Sequence, residues 1–434
     1  MNPLAEQLNE TIAARSPDTF ELLSERGRAL YFPRGILSQT AEAREKAHRF
    51  NATIGEATEG NGPMTLASVT ERLAGTPPPD ALRYAPPAGK PELRRAWCEK
   101  LLEENPALRG RTFGLPIVTS AITHGLALVG DLFVNPGDRI VLPDKLWENY
   151  RLTYEVRLGA RIETFEMYRG ERFNAQGLSQ VLRSGGTKTI LLLNFPNNPT
   201  GYMPTREEVE AIRDAIVDAA EAGQRLLVVV DDAYFGLVYE EGALHESPFG
   251  FLVNLHPRVV SIKLDAATKE LFAWGLRCGF LTYGPPPVDD PDPLLEALER
   301  KTMGAIRGGI SSSPHISQSV VLAALRSPTI ATERRAKYET LRTRAARVAE
   351  LVHQERFRSS WDVYPFNAGY FMCIRIKGVD AEELRRHLLD RFGVGVISIG
   401  KTDIRVAFSC LEVEEIEPLF DCIHRAIQDL GGRS

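Results

Sequence analysis

Short apolar runs separated by longer stretches with helical spacing dominate the middle of the chain, from about residue 117 to 284. The clear ones are Arg139-Ile-Val-Leu-Pro143, Thr189-Ile-Leu-Leu-Leu-Asn194, Leu226-Leu-Val-Val-Val-Asp231, Val259-Val-Ser-Ile-Lys-Leu264 and Gly279-Phe-Leu-Thr-Tyr283. Each is nearly continuous in aliphatic or β-branched residues and is bounded by turn formers, the pattern of strands covered on both faces. Between the second and third runs, Thr205-Arg-Glu-Glu208 offers the hydroxyl and carboxylate of a capping box, and Val209, Ile212 and Ile216 follow on one helical face. Strands alternating with such crossover helices predict an α/β fold whose large domain has a mostly parallel sheet covered by helices.

The two ends of the chain follow another pattern. Leu341–His353 and Glu412–Leu430 have helical spacing, whereas Tyr370–Ile376 and Thr402–Phe408 read as strands. Residues 1–65 and 325–434 are therefore expected to form one smaller α+β domain, which leaves 66–324 as the large domain. The segment Tyr283-Gly-Pro-Pro-Pro-Val-Asp-Asp-Pro-Asp-Pro293 marks an exposed loop, and neither repeats nor low-complexity tracts interrupt the chain.

Composition narrows the function. A chain of 434 residues exceeds the size at which one core stops growing, and 43% hydrophobic residues are enough to fill two. A net charge of -5 and a pI near 6.0 provide no large basic face, which argues against nucleic acid or an anionic membrane and for a small-molecule substrate. Cys98, Cys278, Cys373, Cys410 and Cys422 are scattered without metal-ligand or redox spacing, so no metal site is expected and a reducing compartment fits. With no leader-like start and no bilayer-length apolar segment, the expected location is the cytoplasm.

Ligands of open α/β sheets bind beyond the carboxyl ends of the strands, so the polar residues just past each run carry the chemistry. Trp147 follows the run ending at Pro143. Asn194-Phe-Pro-Asn-Asn-Pro-Thr-Gly201 follows Leu193, Asp231-Asp-Ala-Tyr234 follows Val230, and Lys269 follows Leu264 with Arg277 eight positions later. A lysine forms an imine only when its amine is deprotonated, and a nearby guanidinium can depress that pKa while gripping a phosphate. The Lys269/Arg277 pair thus suits a phosphorylated aldehyde, although each element alone has an ordinary structural reading as turn, cap or surface charge.

Taken in order, Asn198-Pro-Thr-Gly201, Asp231-x-x-Tyr234, Lys269 with Arg277, and Arg405 in Asp403-Ile-Arg-Val-Ala-Phe408 make the chain resemble the aspartate aminotransferase superfamily over roughly residues 50 to 410. These are pyridoxal-phosphate enzymes of the class I/II aminotransferase type. The resemblance implies pyridoxal 5'-phosphate as cofactor, a PLP-transferase type fold and a homodimer sharing its active sites. Residue by residue it implies that Lys269 forms the internal aldimine and shuttles the α-proton, and that Asp231 pairs with the pyridinium nitrogen. It further implies that Asn198 and Tyr234 bond the phenolic oxygen and that Trp147 stacks on the ring. Arg277, the backbone around Ile122 and Thr123, and Tyr84 from a partner subunit would hold the phosphate; Arg405 and Asn198 would take the substrate α-carboxylate. Arg307, four positions before Ser311, loosely matches an arginine that reaches a side-chain carboxylate across the dimer in dicarboxylate-specific members.

Two positions depart from the family. Ala266 replaces the serine common three residues before the lysine, and Ala121 replaces the glycine that opens the phosphate loop. The resemblance implies a ping-pong aminotransferase coupling an L-amino acid of aspartate/glutamate or aromatic type to a 2-oxoacid. A lyase or decarboxylase on the same scaffold stays open, because the two differ only in which substrate bond stands perpendicular to the ring. A regulatory protein with an aminotransferase-like domain needs a DNA-binding module, and residues 1–65 show no basic helix-turn-helix pattern. A nicotinamide dehydrogenase or nucleotide hydrolase needs a glycine-rich phosphate loop after a strand, and none is found.

Overall fold

Alternating side chains along the apolar runs bury on opposite faces, and this splits the core of the large sheet in two. Ile190, Leu192, Leu227, Val229, Ile262 and Leu264 join one cluster; Leu191, Leu193, Leu226, Val228 and Val230 join the other. In a computed structural model that describes residues 2–30, 36–60 and 62–431, all five runs are strands of one seven-stranded sheet. Residues 1, 31–35, 61 and 432–434 of the expected small domain lie outside the described residues.

Counting only the strands of the two main sheets, these are β1 (Ile117–Thr119), β2 (Arg139–Pro143), β3 (Arg161–Phe165), β4 (Lys188–Asn194), β5 (Arg225–Asp231), β6 (Val259–Ala266) and β7 (Gly279–Gly284). Their spatial order is β1-β7-β6-β5-β4-β2-β3. Every pairing from β6 to β3 is parallel, while β7 runs antiparallel to both β6 and β1. The two edge strands escape the apolar-run reading because β1 has three residues and β3 carries polar Arg161, Glu163 and Thr164 on a partly exposed edge.

Helices cover both faces. Ile122, Leu126 and Val129 of α1 (Ala121–Phe133) pack with Leu264 and Leu281, and Val209, Ile212 and Ile216 of α2 (Arg206–Glu221) fill the opposite cluster. The capping box at Thr205 and Glu208 is present, and Glu208 also accepts from the Tyr202 hydroxyl. Lys269 sits in α3 (Ala267–Glu270), a single helical turn rather than the loop expected from sequence. α4 (Asp292–Gly309) follows the proline-rich loop.

A second, four-stranded antiparallel sheet has the order β8-β9-β11-β10, with β8 Trp361–Val363, β9 Phe371–Ile376, β10 Ile397–Ile399 and β11 Asp403–Ala407. Met372, Ile374, Ile404 and Val406 pack there with Leu419, Phe420 and Ile423 of α6 (Val413–Gly431) and with Ala52 from the N-terminal part of the chain. The 23-residue α5 (Ile330–Val352) joins the two cores: Leu341 packs with the large sheet, Val348 and Leu351 with the small one.

The sheets meet at Gly201. Its φ of 75° is left-handed, and a Cβ there would lie 2.0 Å from the Phe371 carbonyl oxygen and 2.8 Å from that of Ala368. Its own carbonyl accepts from the amides of Asn367 and Ala368 at 2.9 and 2.8 Å. Only glycine allows so close a backbone approach. Gly201→Ala is expected to cost about 3 kcal/mol or more, because the clash is with backbone and cannot relax by rotamer change. A urea midpoint unchanged from wild type would show that the two sheets do not depend on this contact.

Candidate active site

Strand register assembles the site. Asn194 on β4 pairs opposite Asp231 on β5, and Asp231 opposite Leu264 on β6, so the chain leaves all three strands along one edge. Beyond that edge lies a cavity of about 180 Å³ lined by Ile122, Thr123, Trp147, Asn198, Asp231, Tyr234, Lys269, Arg277 and Arg405. The cavity thus gathers every expected site residue except Tyr84 and Arg307.

The Asp231 carboxylate is buried and held from two sides. The Tyr150 hydroxyl donates to Oδ2 at 2.7 Å, and the Ala233 amide donates to Oδ1 at 3.1 Å. Burial pushes its pKa up to about 6, against the pull of the Tyr150 hydrogen bond and the Lys269 charge. It is therefore mostly ionised at neutral pH. Alternation along β5 sends the next residue the other way: Asp232 pairs with Lys263 in a fully buried ion pair behind the sheet.

Lys269 makes no hydrogen bond or ion pair among the described residues, and its Nζ stands 4.8 Å from the centroid of the Tyr234 ring. Burial lowers its pKa to about 8; Asp231 opposes that shift and Arg277 adds to it. Arg277 adopts a left-handed backbone (φ 50°, ψ 48°), and among the described residues its side chain donates only to the Trp274 carbonyl, at 3.4 Å. Two further non-glycine residues with positive φ flank the site, Phe272 at 51° and Ala121 at 63°. Ala121 thus keeps the conformation a glycine would take at the start of α1, at a strain of roughly 1–2 kcal/mol. The first-turn N–H groups of Ile122 and Thr123 have no intrahelical carbonyl to serve, and both residues line the cavity.

On the small-sheet side, Arg405 is only 1% exposed yet has no carboxylate partner among the described residues. It donates to Asn198 Oδ1 at 3.2 Å and to the Thr53 carbonyl at 2.9 Å, and its guanidinium lies 4.1 Å from the centroid of the Phe371 ring. Its Nε has no hydrogen-bond partner among the described residues. A buried unpaired guanidinium costs several kcal/mol, so this geometry fits an anion-binding position.

Tyr150, Asn194, Thr268 and Phe371 are among the cavity residues to which the sequence reading gave no role. Tyr150 lies three positions after Trp147, and the two rings meet edge to face at 5.5 Å; an aromatic at that spacing was the available signal. Asn194 ends β4 and holds the turn that carries Asn198, accepting from the Asn198 amide at 2.8 Å. Thr268 carries a buried hydroxyl without a partner, and Phe371 supports Arg405; neither has a local signal. Tyr84 and Arg307 lie elsewhere on the surface: Tyr84 is 88% exposed, and Arg307 on α4 donates to Ser311 at 2.6 Å.

The family described as "Aminotransferase class I and II" matches residues 50–423. The chain belongs to this family. An aspartate/prephenate aminotransferase of Cereibacter sphaeroides is 27% identical over 73% of this chain and 75% of its own length. An aspartate aminotransferase of Musicola paradisiaca is 30% identical over 36% and 37%. The chain spans between about a third and two thirds of the length of the first curated relatives it matches. In fold it is similar to an aminotransferase from Anaerococcus prevotii, with a TM-score of 0.83 at 22% identity covering 94% of this chain and 99% of that one. The alanine aminotransferase of Pyrococcus furiosus superposes with a TM-score of 0.76 at 19% identity, covering 94% and 100%.

Class I and II membership implies pyridoxal 5'-phosphate. The residues present fit it: an unpaired lysine for the aldehyde, a buried carboxylate for the ring nitrogen, and Arg277, free amides and the orphaned Thr268 hydroxyl for a phosphate. Because the folded pKa of Lys269 is about 8, the amine is mostly charged below that pH and mostly neutral above it. Labelling of the cofactor-free protein by a carbonyl reagent with borohydride, quantified at Lys269 by mass spectrometry, should be half-maximal near that value. Ordinary lysines label near pH ~10.4. A Lys269 midpoint at the ordinary value would show that the pocket does not depress it.

Proposed function

We propose that the protein is a pyridoxal-phosphate-dependent aminotransferase. It moves an amino group between an L-amino acid, of aspartate/glutamate or aromatic type, and a 2-oxoacid by a ping-pong route. The observation that carries this reading is the buried Arg405, without a carboxylate partner among the described residues, lining the same small cavity as Lys269. That pairing suits a molecule with both an α-carboxylate and an α-amine. The names of the aspartate and aspartate/prephenate aminotransferase relatives support the donor class.

When bound, the cofactor supplies an aldehyde for amine exchange and an electron sink for the substrate α-carbon. Arg277, the amides of Ile122 and Thr123 and the Thr123 hydroxyl hold its phosphate, with Thr268 offering the hydroxyl that Ala266 lacks. Trp147 covers the ring, and Asp231, oriented by Tyr150, keeps the ring nitrogen protonated. Asn198 and Tyr234 bond the phenolic oxygen, while Arg405 and Asn198 grip the substrate carboxylate as a planar fork suits. Lys269 Nζ, once displaced by the donor's amine, would take up the substrate α-proton and hold it for return.

The same proposal includes a homodimer that brings Tyr84 to the partner's phosphate site and Arg307 to its substrate. In support, Leu82 and Tyr84 are 83% and 88% exposed, and His315 Nδ1 donates to the Arg83 carbonyl at 3.0 Å, placing them beside exposed Ile316. Large exposed apolar side chains gathered this way suit a covered surface. The proposed domains are 66–324 and the joined ends, 1–65 with 325–434. A cytoplasmic setting is supported by five unpaired cysteines, and no described helix is long and apolar enough to cross a membrane.

The test is the visible spectrum of the purified protein with single amino acids and no oxoacid. A yellow band that bleaches with aspartate, glutamate or an aromatic donor supports transamination; a yellow protein bleached by none of them overturns that donor class. Lys269→Ala is expected to abolish turnover with the fold intact. Arg405→Ala should raise the donor KM on the order of a hundredfold while cofactor retention holds. Loss of cofactor in that variant instead would place Arg405 in a different role.

A further inference from the structure

Among the ion pairs that the mechanism above leaves unused, one joins the two sheets beside the cavity. Lys145, two residues before Trp147, places Nζ 2.8 Å from Oδ2 of Asp403, two residues before Arg405 on β11. The Asp403 side chain is 5% exposed and that of Lys145 17%. The other Asp403 oxygen, Oδ1, accepts from the Tyr364 hydroxyl at 3.1 Å and from Thr402 Oγ1 at 2.9 Å. Lys145 Nζ also lies 4.6 Å from the centroid of the Tyr364 ring, and Asp144 stands at 3.7 Å.

Lys145 is tied down at both ends. Its carbonyl accepts from Asn197 Nδ2 at 3.0 Å, next to the Asn198 that bonds Arg405. Residues 403 and 405 share one face of β11 by the two-residue period of a strand. The ion pair and the Arg405–Asn198 contact are therefore two points at which one face of β11 meets large-sheet loops. β11 is already paired with β9 and β10 in its own sheet, so these two contacts fix that sheet's face against the loops. Together they set where the guanidinium stands relative to Trp147 and Lys269.

We infer that Lys145 and Asp403 form a positioning clamp that holds β11 against the Trp147 loop and sets the Arg405 guanidinium for the substrate carboxylate. The inference rests on the proposed carboxylate role of Arg405. Neither clamp residue lines the catalytic cavity, so the pair acts through Arg405 rather than on the substrate. A buried pair is suited to this because removing one partner strands the other charge, whereas exchanging the partners keeps both satisfied. A cavity of about 380 Å³ bordered by Lys145, Tyr364 and Thr402 leaves room for the exchange.

The clamp is tested on the cofactor-loaded enzyme with Lys145→Met, Asp403→Asn, Lys145→Arg and the exchanged double variant Lys145→Asp/Asp403→Lys. Each single neutralising variant should raise the KM of the amino-acid donor about ten- to a hundredfold while changing kcat less than about threefold. Lys145→Arg and the exchanged pair should recover most of that loss. Bleaching by the donor's decarboxylated amine, which has no carboxylate for Arg405, should be nearly unaffected. Equal losses on amine and amino acid, a parallel fall in cofactor retention, or an exchanged pair no better than the singles would overturn the inference. If the wild type binds cofactor but transaminates no donor, the functional reading fails separately. The same series is then read as the Kd of succinate from the spectral shift, which the clamp predicts to weaken by a similar factor.

Discussion

Backbone register across β4, β5 and β6 is the constraint on which the rest of the site depends. Parallel strands lie about 4.8 Å apart, and hydrogen bonds leave no freedom to slide once both faces are buried. Asn194, Asp231 and the turn carrying Lys269 therefore leave the sheet one strand apart along one edge. Slipping β5 by a single residue would turn Asp231 away and bring Asp232 to the cavity in its place. The apolar clusters on both faces prevent that slip, since Val228 and Val230 would have to exchange cores with Leu227 and Val229.

Charge sorts into two kinds in this interior. Lys263 with Asp232, Lys100 with Glu270, and Lys145 with Asp403 are ion pairs. Lys269, Arg277 and Arg405 surround the cavity without carboxylate contacts. Buried charges without a carboxylate and left-handed residues both cost free energy, and here they coincide: Arg405 is buried, while Ala121 and Arg277, which line the same cavity, have left-handed backbones. A chain selected only for stability has no reason to collect these penalties in one place. In the proposed function, an anionic, carbonyl-bearing cofactor and a carboxylate substrate would offset several of them together.

Legibility in the sequence followed how local each signal was. The buried strands showed because a two-sided core demands unbroken apolar runs, while the polar edge strand β3 and the three-residue β1 did not. Lys269, Asp231, Asn198, Tyr234, Trp147 and Arg405 showed because each follows a strand end or sits in a recognisable motif. Thr268 and Phe371 carry no comparable mark. A hydroxyl becomes meaningful only when burial leaves it without a partner, and a phenylalanine only when a guanidinium stacks on it.

By itself the sequence determined the class of fold, the crossover helix with its capping box, and the chemical set available at the strand ends. These depend on side-chain periodicity and on residue types within a few positions of each other. Only the tertiary structure decided that β7 runs antiparallel, that Tyr150 rather than another group orients Asp231, and that Lys145 meets Asp403. It also decided that Arg405 stands buried with its Nε unpaired. Those outcomes join residues tens to hundreds of positions apart, and their energies come from desolvation and contact, which exist only once the two sheets have closed on each other.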